Sequence, residues 1–356
     1  MIYDTFTAAN TEKGFCSYFD ELIHDEKLKR VYLIKGGPGC GKSTLMKKIA
    51  DKFEKENMTV ERIHCSSDPH SLDGVKIEDK GIVIIDATAP HAYDMSIPGA
   101  FESIIDLSKF WNENKLAENK DEIKSLFAEI SAAYRPVYSL LKAAGSIEAW
   151  QAQQLDGRID YEKINAQIKK VIKQNAISPI SSKPAETNRL LSAFAGDCVI
   201  TYSNTTNTLC NEYIIIEDTA GIAGIFLSKA AACFQKLGYD TMLIRSPLSP
   251  DKRLEQVIIP QLKLGFIAAG HLYSPEIDDK KIIKTISSKS YIDREFYSSN
   301  KNKITFSRKL IRELVSRAAK DMGDIKKKHD LLEKYYTQAM NFKTLNKFTD
   351  EFIQKL

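Results

Sequence analysis

The chain has 356 residues, a length that favours two compact domains over one, because domains of about 150 residues are the commonest. Hydrophobic residues make up 43% and charged residues 28%, which excludes the intrinsically disordered, collagen-like and coiled-coil classes. The 51 Lys and Arg against 47 Asp and Glu leave a net charge of +4, too small to indicate a nucleic acid as the partner.

The cysteines and the apolar segments point to a cellular compartment. Six cysteines occur without CxxC or His-rich spacing, so we expect reduced thiols rather than a zinc site or a disulfide framework. The first residues lack the basic and apolar regions of a signal peptide, and no apolar run reaches the roughly 18 residues that span a bilayer. We therefore predict a cytoplasmic protein without a membrane partner.

The first predicted elements alternate between strand and helix. A short apolar run at residues 31–35 predicts a buried strand that ends in glycines, and residues 43–56 carry apolar side chains at every fourth position, which predicts a helix. Apolar runs at residues 60–65 and 81–87 predict two more strands, the latter apolar on both faces like a central strand. Such alternation predicts an α/β domain with a parallel sheet.

Between the first strand and the first helix lies GGPGCGKS, which has the G-x-x-x-x-G-K-[ST] pattern of a phosphate-binding loop. Glycines let successive N–H groups point at an anion, and the helix N-terminus adds further donors. We expect Lys42 to reach the β- and γ-phosphates and the Ser43 hydroxyl to bind Mg²⁺. The predicted nucleotide-binding residues are Gly36, Gly37, Pro38, Gly39, Cys40, Gly41, Lys42, Ser43 and Thr44.

A carboxylate is predicted beside this loop. The strand at residues 81–87 contains Asp86 at its carboxyl end, where ligands bind in α/β sheets, and we predict that Asp86 supports the Mg²⁺ ion. Ala87 and Thr88 follow, so no Glu stands next to Asp86 to orient an attacking water. Either another residue does that work or turnover is slow.

Three residues are candidates for the missing role, and a fourth is a candidate cation. Asp68, Asp73 and His91 lie in loops that the strand order brings to the same sheet edge, where they would orient water or hold a substrate. The alternative for each is a loop cap or a turn former. Arg135 lies in a predicted helical hairpin, about residues 112–175, and is a candidate transition-state cation, with a surface ion pair as its alternative.

The chain carries an internal repeat. The segment from Tyr32 aligns with the segment from Tyr213, and the same register returns where Ile159 lies over Met340. We infer a tandem duplication with domains at residues 1–178 and 186–356, joined by a Ser- and Pro-rich linker at about residues 176–186. The predicted fold class is α/β, with two tandem P-loop NTPase-like parallel-sheet domains, each with an appended helical hairpin.

The second copy of the phosphate loop is degenerate. Glu217 and Asp218 stand where the first copy has its first two glycines, and Ala223 and Gly224 replace the lysine and the serine. We therefore predict one nucleotide site, in the first domain. The basic residues between 280 and 312 favour a solvated surface over a nucleic-acid surface, because few aromatic residues accompany them.

With GGPGCGKSTLMKKI, HCSSDPHSLDGV and IIDATAPHAYD in view, the chain resembles a family of bacterial tandem P-loop ATP-binding proteins of the ATPase or nucleotide-kinase kind. The resemblance covers nearly the whole chain and implies two P-loop folds with appended helices. It also implies a phosphate loop in both halves for many members, and this chain departs from that pattern at residues 217–224.

Three functions follow from these residues. The first is Mg²⁺-dependent ATP binding and hydrolysis, with Lys42 and Asp86 in catalytic roles and Asp68 or His91 orienting water. The second is a small-molecule or nucleotide kinase, in which Asp68 or His91 holds the acceptor hydroxyl. The third is an ATP-sensing scaffold with little turnover, which the absence of a Glu after Asp86 favours.

Overall fold

The computed structural model describes residues 1–89, 91, 93–175, 183–196, 198–270, 272 and 275–356. Residues 176–182 of the predicted linker lie outside this description. The first repeat contains β1 Ile2–Phe6, β2 Ala8–Thr11, β3 Gly14–Ser17, α1 Phe19–Ile23, β4 Arg30–Lys35, α2 Lys42–Lys55, β5 Val60–His64, β6 Leu72–Ile77, β7 Ile82–Asp86, β8 Glu102–Asp106, α3 Glu113–Glu118, α4 Lys120–Gln154 and α5 Tyr161–Asn175.

The second repeat follows the same plan. Its elements are β9 Glu186–Arg189, β10 Ser192–Ala195, β11 Cys198–Thr201, α6 Ser203–Leu209, β12 Glu212–Glu217, α7 Ala223–Lys236, β13 Thr241–Arg245, β14 Leu254–Ile259, β15 Leu264–Ala269, β16 Ile282–Ser287, α8 Arg294–Ala339 and α9 Phe342–Lys355. None of the helices in the described ranges combines the length and the apolar character that crossing a membrane requires.

Two six-stranded sheets with the same strand order form the centre of the described structure. The orders are β1-β5-β6-β7-β4-β8 and β9-β13-β14-β15-β12-β16, so the α/β class and the repeat are confirmed. The sheets are mixed rather than parallel, because β6 and β14 run antiparallel to both of their neighbours. The short link from β5 to β6 allows only an antiparallel return, since a parallel neighbour needs a crossover of a dozen residues or more.

The helix after the phosphate loop covers one face of the first sheet. In α2, the side chains of Leu45, Ile49 and Phe53 are buried in a core that also contains Val75 and Ile84 of the sheet. The spacing of four that predicts this helix therefore marks its buried face. This packing fixes the start of α2, and with it the phosphate loop, against the carboxyl ends of the strands.

The second helix of each predicted hairpin lies on the sheet of the other repeat. In α5, Ile164, Ile168 and Val171 are buried in the core of the second sheet together with residues of α7. In α9, Leu345 is buried in the core of the first sheet, and Phe348 packs against it. Each half therefore completes the hydrophobic core of the other.

The long helices α4 and α8 make this exchange by packing along each other. They run antiparallel, since Glu129 bonds Lys328 while Gln151 bonds Ser307. Breaks are predicted at Pro136 and near Gly145, but α4 is continuous through both. The buried contacts of the helix pair on either side of Pro136 offset the hydrogen bond that proline removes.

Equivalent backbone contacts join the halves reciprocally. Trp111 forms an isolated antiparallel bridge with Met340, and the residues in the same register, Ile292 and Ile159, form a second one. Phe6 at the end of β1 bonds Leu190 at the end of β9. The two repeats are thus held as one structure, in which a segment of each half reaches the sheet edge of the other.

Candidate functional site

The phosphate loop connects β4 to α2, as its sequence pattern predicts. Gly39 and Gly41 have φ values of 67° and 90°, in the left-handed region where a side chain would be strained. Cys40 is buried beneath the loop, and burial raises the pKa of its thiol, which keeps it protonated. Thr44, by contrast, is exposed on the first turn of α2.

Lys42 lies within the loop and faces the predicted carboxylate. Its Nζ atom donates to the carbonyl oxygens of Gly36 and Gly37, both at 2.9 Å, and lies 3.4 Å from Oδ2 of Asp86. The lysine therefore bridges the loop and the end of β7. This ammonium group, held by two carbonyl oxygens and one carboxylate, lies where it would meet an anion that enters the loop.

Asp86 occupies an environment that disfavours its charge. Burial raises the pKa of the Asp86 carboxyl and the nearby Asp73 adds to this, while the charge of Lys42 acts in the opposite direction. The Asp86 Oδ1 atom accepts the N–H of Thr88 at 2.9 Å, which fixes its orientation. A buried carboxylate so placed gains from a nearby cation, as expected of a group that supports a metal ion.

Ser43 completes the arrangement at the first turn of α2. Its Oγ atom accepts the N–H of Leu72 at 3.0 Å, so the start of β6 is tied to the phosphate loop. The hydroxyl retains its own proton and a further lone pair. Ser43 and Asp86 thus offer the hydroxyl and carboxylate oxygens that Mg²⁺ prefers, beside a loop suited to phosphate.

The structure separates the candidates of the two neighbouring loops. Asp73, on β6, is only 8% exposed, and its Oδ2 atom lies 3.3 Å from Nε2 of His91. The His91 ring contacts the edges of Phe15 and Phe19, with centroids 5.0 and 4.9 Å away. The charge of Asp73 is also one of the causes that raise the pKa of Asp86.

Asp68 and Arg135 have other surroundings. Asp68 accepts the hydroxyl of Ser71 at 2.9 Å and lies 3.4 Å from Lys326 of α8. These contacts give it the role of a loop cap that also ties the loop to α8. Arg135 is exposed on α4.

The far end of α8 lies directly over the phosphate loop. A Cβ atom placed on Gly37 would be 2.8 Å from the ring of Tyr336, and one on Gly39 would be 2.7 Å from Oγ1 of Thr337. Thr337 also donates to the carbonyl of Gly39 at 3.3 Å. Tyr336 and Thr337 were missed by sequence reasoning, because only the crossing of α8 to the first unit brings them here.

In the second unit, an internal carboxylate occupies the corresponding loop. Oδ1 of Asp218 accepts the N–H of Gly221 at 2.8 Å and that of Ala223 at 3.4 Å, and its other oxygen pairs with Arg253. Gln151 of α4 donates to the carbonyl of Ala220 at 2.8 Å. The amides that would meet a phosphate are therefore engaged by the chain itself.

Comparisons with known proteins match one part of the chain. The family model described as Nephrocystin 3, N-terminal, matches residues 16–76, which run from β3 to the end of β6 and include the phosphate loop. No match was found among curated proteins or among solved structures. The matched segment contains the phosphate loop, the strand before it and the helix after it.

Proposed function

We propose that the first unit binds and hydrolyses a nucleoside triphosphate, ATP by preference, with Mg²⁺, and that the second unit does not. The observation that carries this proposal is the position of Lys42, between the loop carbonyls and Asp86. A lysine, a hydroxyl and a carboxylate around a glycine-rich turn are the groups that phosphoryl transfer requires. A kinship with bacterial tandem P-loop ATP-binding proteins is part of this proposal, and the family match itself covers residues 16–76.

Each residue then has a role on binding. The backbone N–H groups of residues 36–43, except Pro38, which has none, donate to the phosphate oxygens, and Lys42 leaves the carbonyls for the β- and γ-phosphates. Ser43 and Asp86 would hold Mg²⁺, which neutralises charge on the triphosphate when bound. The arrangement fits this ion. Burial raises the pKa of Asp86, and the charge of Lys42 offsets this effect only in part, so a second cation beside the carboxylate would stabilise its charged form.

Asp73 is our proposed substitute for the missing Glu after Asp86. It orients a water for in-line attack, in which the new bond to the γ-phosphorus forms, the bond to the ADP oxygen breaks, and the proton passes to Asp73. His91 is a positioning residue that holds this carboxylate from its other side. The hydrogen bond from the Leu72 N–H to Ser43 keeps Asp73 beside the loop.

A nucleotide-sensing scaffold with little turnover is the second candidate. It is favoured by the contact of Tyr336 and Thr337 with the loop glycines, because a bound triphosphate would act directly on α8. The two functions are separated by comparing the rate of ATP hydrolysis in a single turnover with the rate at which bound ATP dissociates. Hydrolysis faster than dissociation supports the hydrolase, and the reverse supports the sensor.

The experiment that tests the shared proposal is titration with ATP and Mg²⁺ of the wild type and of Lys42→Ala. Lys47→Ala, an exposed position on the same helix, serves as the matched control. Loss of binding in Lys42→Ala alone supports the proposal, and retention of ATP affinity overturns it.

We further propose a cytoplasmic site of action, because all six cysteines are free thiols, which is typical of proteins in a reducing compartment.

A further inference from the structure

A cleft of about 850 Å³ opens beside the phosphate loop, between residues 110–115 of the first unit and residues 338–342 at the α8–α9 junction. We refer to it as the junction cleft. We propose that the junction cleft holds the base and ribose of the nucleotide, so that the second half of the chain supplies one wall of the nucleoside site. This inference rests on the proposed function and adds the part of the substrate that the phosphate loop does not contact.

The position of the junction cleft relative to the phosphate loop carries the first step. Ser43 and Asp86 mark the metal end of the loop, on the side of β7, whereas β8 is the neighbour of β4 on the other side. Trp111 follows β8, and its ring would lie 3.3 Å from a Cβ atom placed on Gly37. A triphosphate with its γ-phosphate near Asp86 therefore directs its nucleoside towards Trp111.

The chemistry of the cleft suits an aromatic base. The Trp111 ring packs against Tyr336 with centroids 5.6 Å apart, at an angle of 61°. Within the described residues, the buried Nε1 atom of Trp111 has no hydrogen-bond partner, which is unusual because buried donors are generally satisfied. Trp111 lines the cleft with an indole, a side chain that can stack on a base, and its unsatisfied donor indicates that the ring has room to gain a polar partner.

The two walls of the junction cleft are fixed to each other. The N–H of Asn112 donates to the carbonyl of Ala339 at 2.8 Å, and the N–H of Asn341 donates to that of Phe110 at 2.9 Å. Together with the bridge between Trp111 and Met340, these bonds hold the α8–α9 junction at the edge of the first sheet. The site is therefore composite, and neither half of the chain forms it alone.

The corresponding cleft in the second unit shows what is specific to the first. It has a similar volume, about 830 Å³, and an equivalent pair of backbone bonds, each 2.8 Å long. Ile292 stands in the register position of Trp111, and the exposed residues around it include Arg158, Lys289 and Arg294. The second cleft thus lacks the indole, and its phosphate loop is filled by Asp218, so both parts of a nucleotide site are missing together.

The test compares ATP with inorganic tripolyphosphate, both with Mg²⁺, on wild type and Trp111→Ala. We expect the variant to bind ATP about 5- to 150-fold more weakly, the range for loss of one base-stacking contact, and to bind tripolyphosphate unchanged. Trp111→Phe, which keeps a ring but loses the N–H, should fall between. Equal weakening of both ligands, or no change in ATP affinity, would overturn the inference.

A fluorescence measurement gives an independent result on the folded protein. The chain has two tryptophans, and Trp150→Phe removes the exposed one on α4, so that the remaining emission comes from Trp111. ATP should change this emission strongly and tripolyphosphate weakly, and an emission that ATP leaves unchanged contradicts the inference. Lys42→Ala tests the proposed function separately from the nucleoside site. If this variant still binds ATP, the proposed function fails, whatever the results for Trp111.

Discussion

Glu61 of β5 and Arg189 of β9 form a buried ion pair between the two repeats, with Oε1 and Nε 2.5 Å apart. Thr5 donates to the same carboxylate at 2.8 Å, so the acceptor is held from both sides. Burial alone would raise the pKa of Glu61, but the charge and hydrogen bonds of Arg189 bring it below its usual value. The pair therefore joins the two sheets on the side of β1 and β9.

The first prediction concerns this pair. Glu61→Gln should lower the free energy of unfolding by about 3–5 kcal/mol, because it leaves the Arg189 charge buried without its partner. Denaturant unfolding measures the change, with Glu313→Gln, half of an exposed pair on α8, as the control. An effect no larger than that of the control would contradict the assignment.

The pH dependence of this contribution follows from its sign. Because the folded pKa of Glu61 lies below the unfolded one, its stabilisation is present above the unfolded pKa and is lost as the pH falls through the folded pKa. The wild type should therefore approach the stability of Glu61→Gln on acidification. A difference between the two proteins that stays constant down to strongly acidic pH would count against the ion pair.

The second prediction is that Asp86→Asn stabilises the fold but removes the effect of Mg²⁺ on ATP affinity. Burial raises the folded pKa of Asp86, so its contribution to stability is complete below the unfolded pKa and is lost as the pH rises through the folded one. Without nucleotide, the variant should melt at a higher temperature than the wild type at pH 8, and the difference should shrink as the pH falls below the folded pKa of Asp86. Its ATP affinity should no longer respond to Mg²⁺. Thermal unfolding and titration with and without Mg²⁺ measure both effects, and a Mg²⁺ response that survives would exclude Asp86 from the metal site.

The third prediction distinguishes two aspartates of the same chain segment. Asp73→Asn should reduce the hydrolysis rate by about 100-fold or more, the usual effect of losing a positioned base, while ATP affinity stays close to that of the wild type. Asp68→Asn should hydrolyse ATP at nearly the normal rate, because Asp68 faces Ser71 and Lys326. Phosphate release under saturating ATP provides the measurement, and the reverse order of the two variants would move the catalytic role to Asp68.

Much of the phosphate site could be predicted because its chemistry is local in sequence. The loop, its strand and its helix are consecutive, and Asp86 ends an apolar strand that stands out by composition alone. The sequence predicts a loop through residues 72–74, the start of β6, because Asp73 and Lys76 interrupt the apolar residues of this strand, although all six of its positions are buried. The buried partners of those polar groups lie elsewhere in the fold, so the sequence pattern cannot reveal the burial.

The contribution of the second half could not be predicted for a related reason. The repeat indicates that α5 and α9 are equivalent, but a helix with one apolar face fits either of two similar sheets. Which sheet each of these helices covers depends on where α4 and α8 end. The lengths of α4 and α8, which pack along each other, determine those end points. Trp111 and Tyr336 are more than 200 residues apart in the chain, and no short-range spacing links them.

Calorimetric titration with a non-hydrolysable ATP analogue and Mg²⁺ counts the nucleotide sites of the chain. We predict one nucleotide for each chain in the wild type and no measurable binding in Lys42→Ala, because Asp218 already occupies the second loop. Two nucleotides for each chain, or an affinity unaffected by Lys42→Ala, would contradict a single site at residues 36–43.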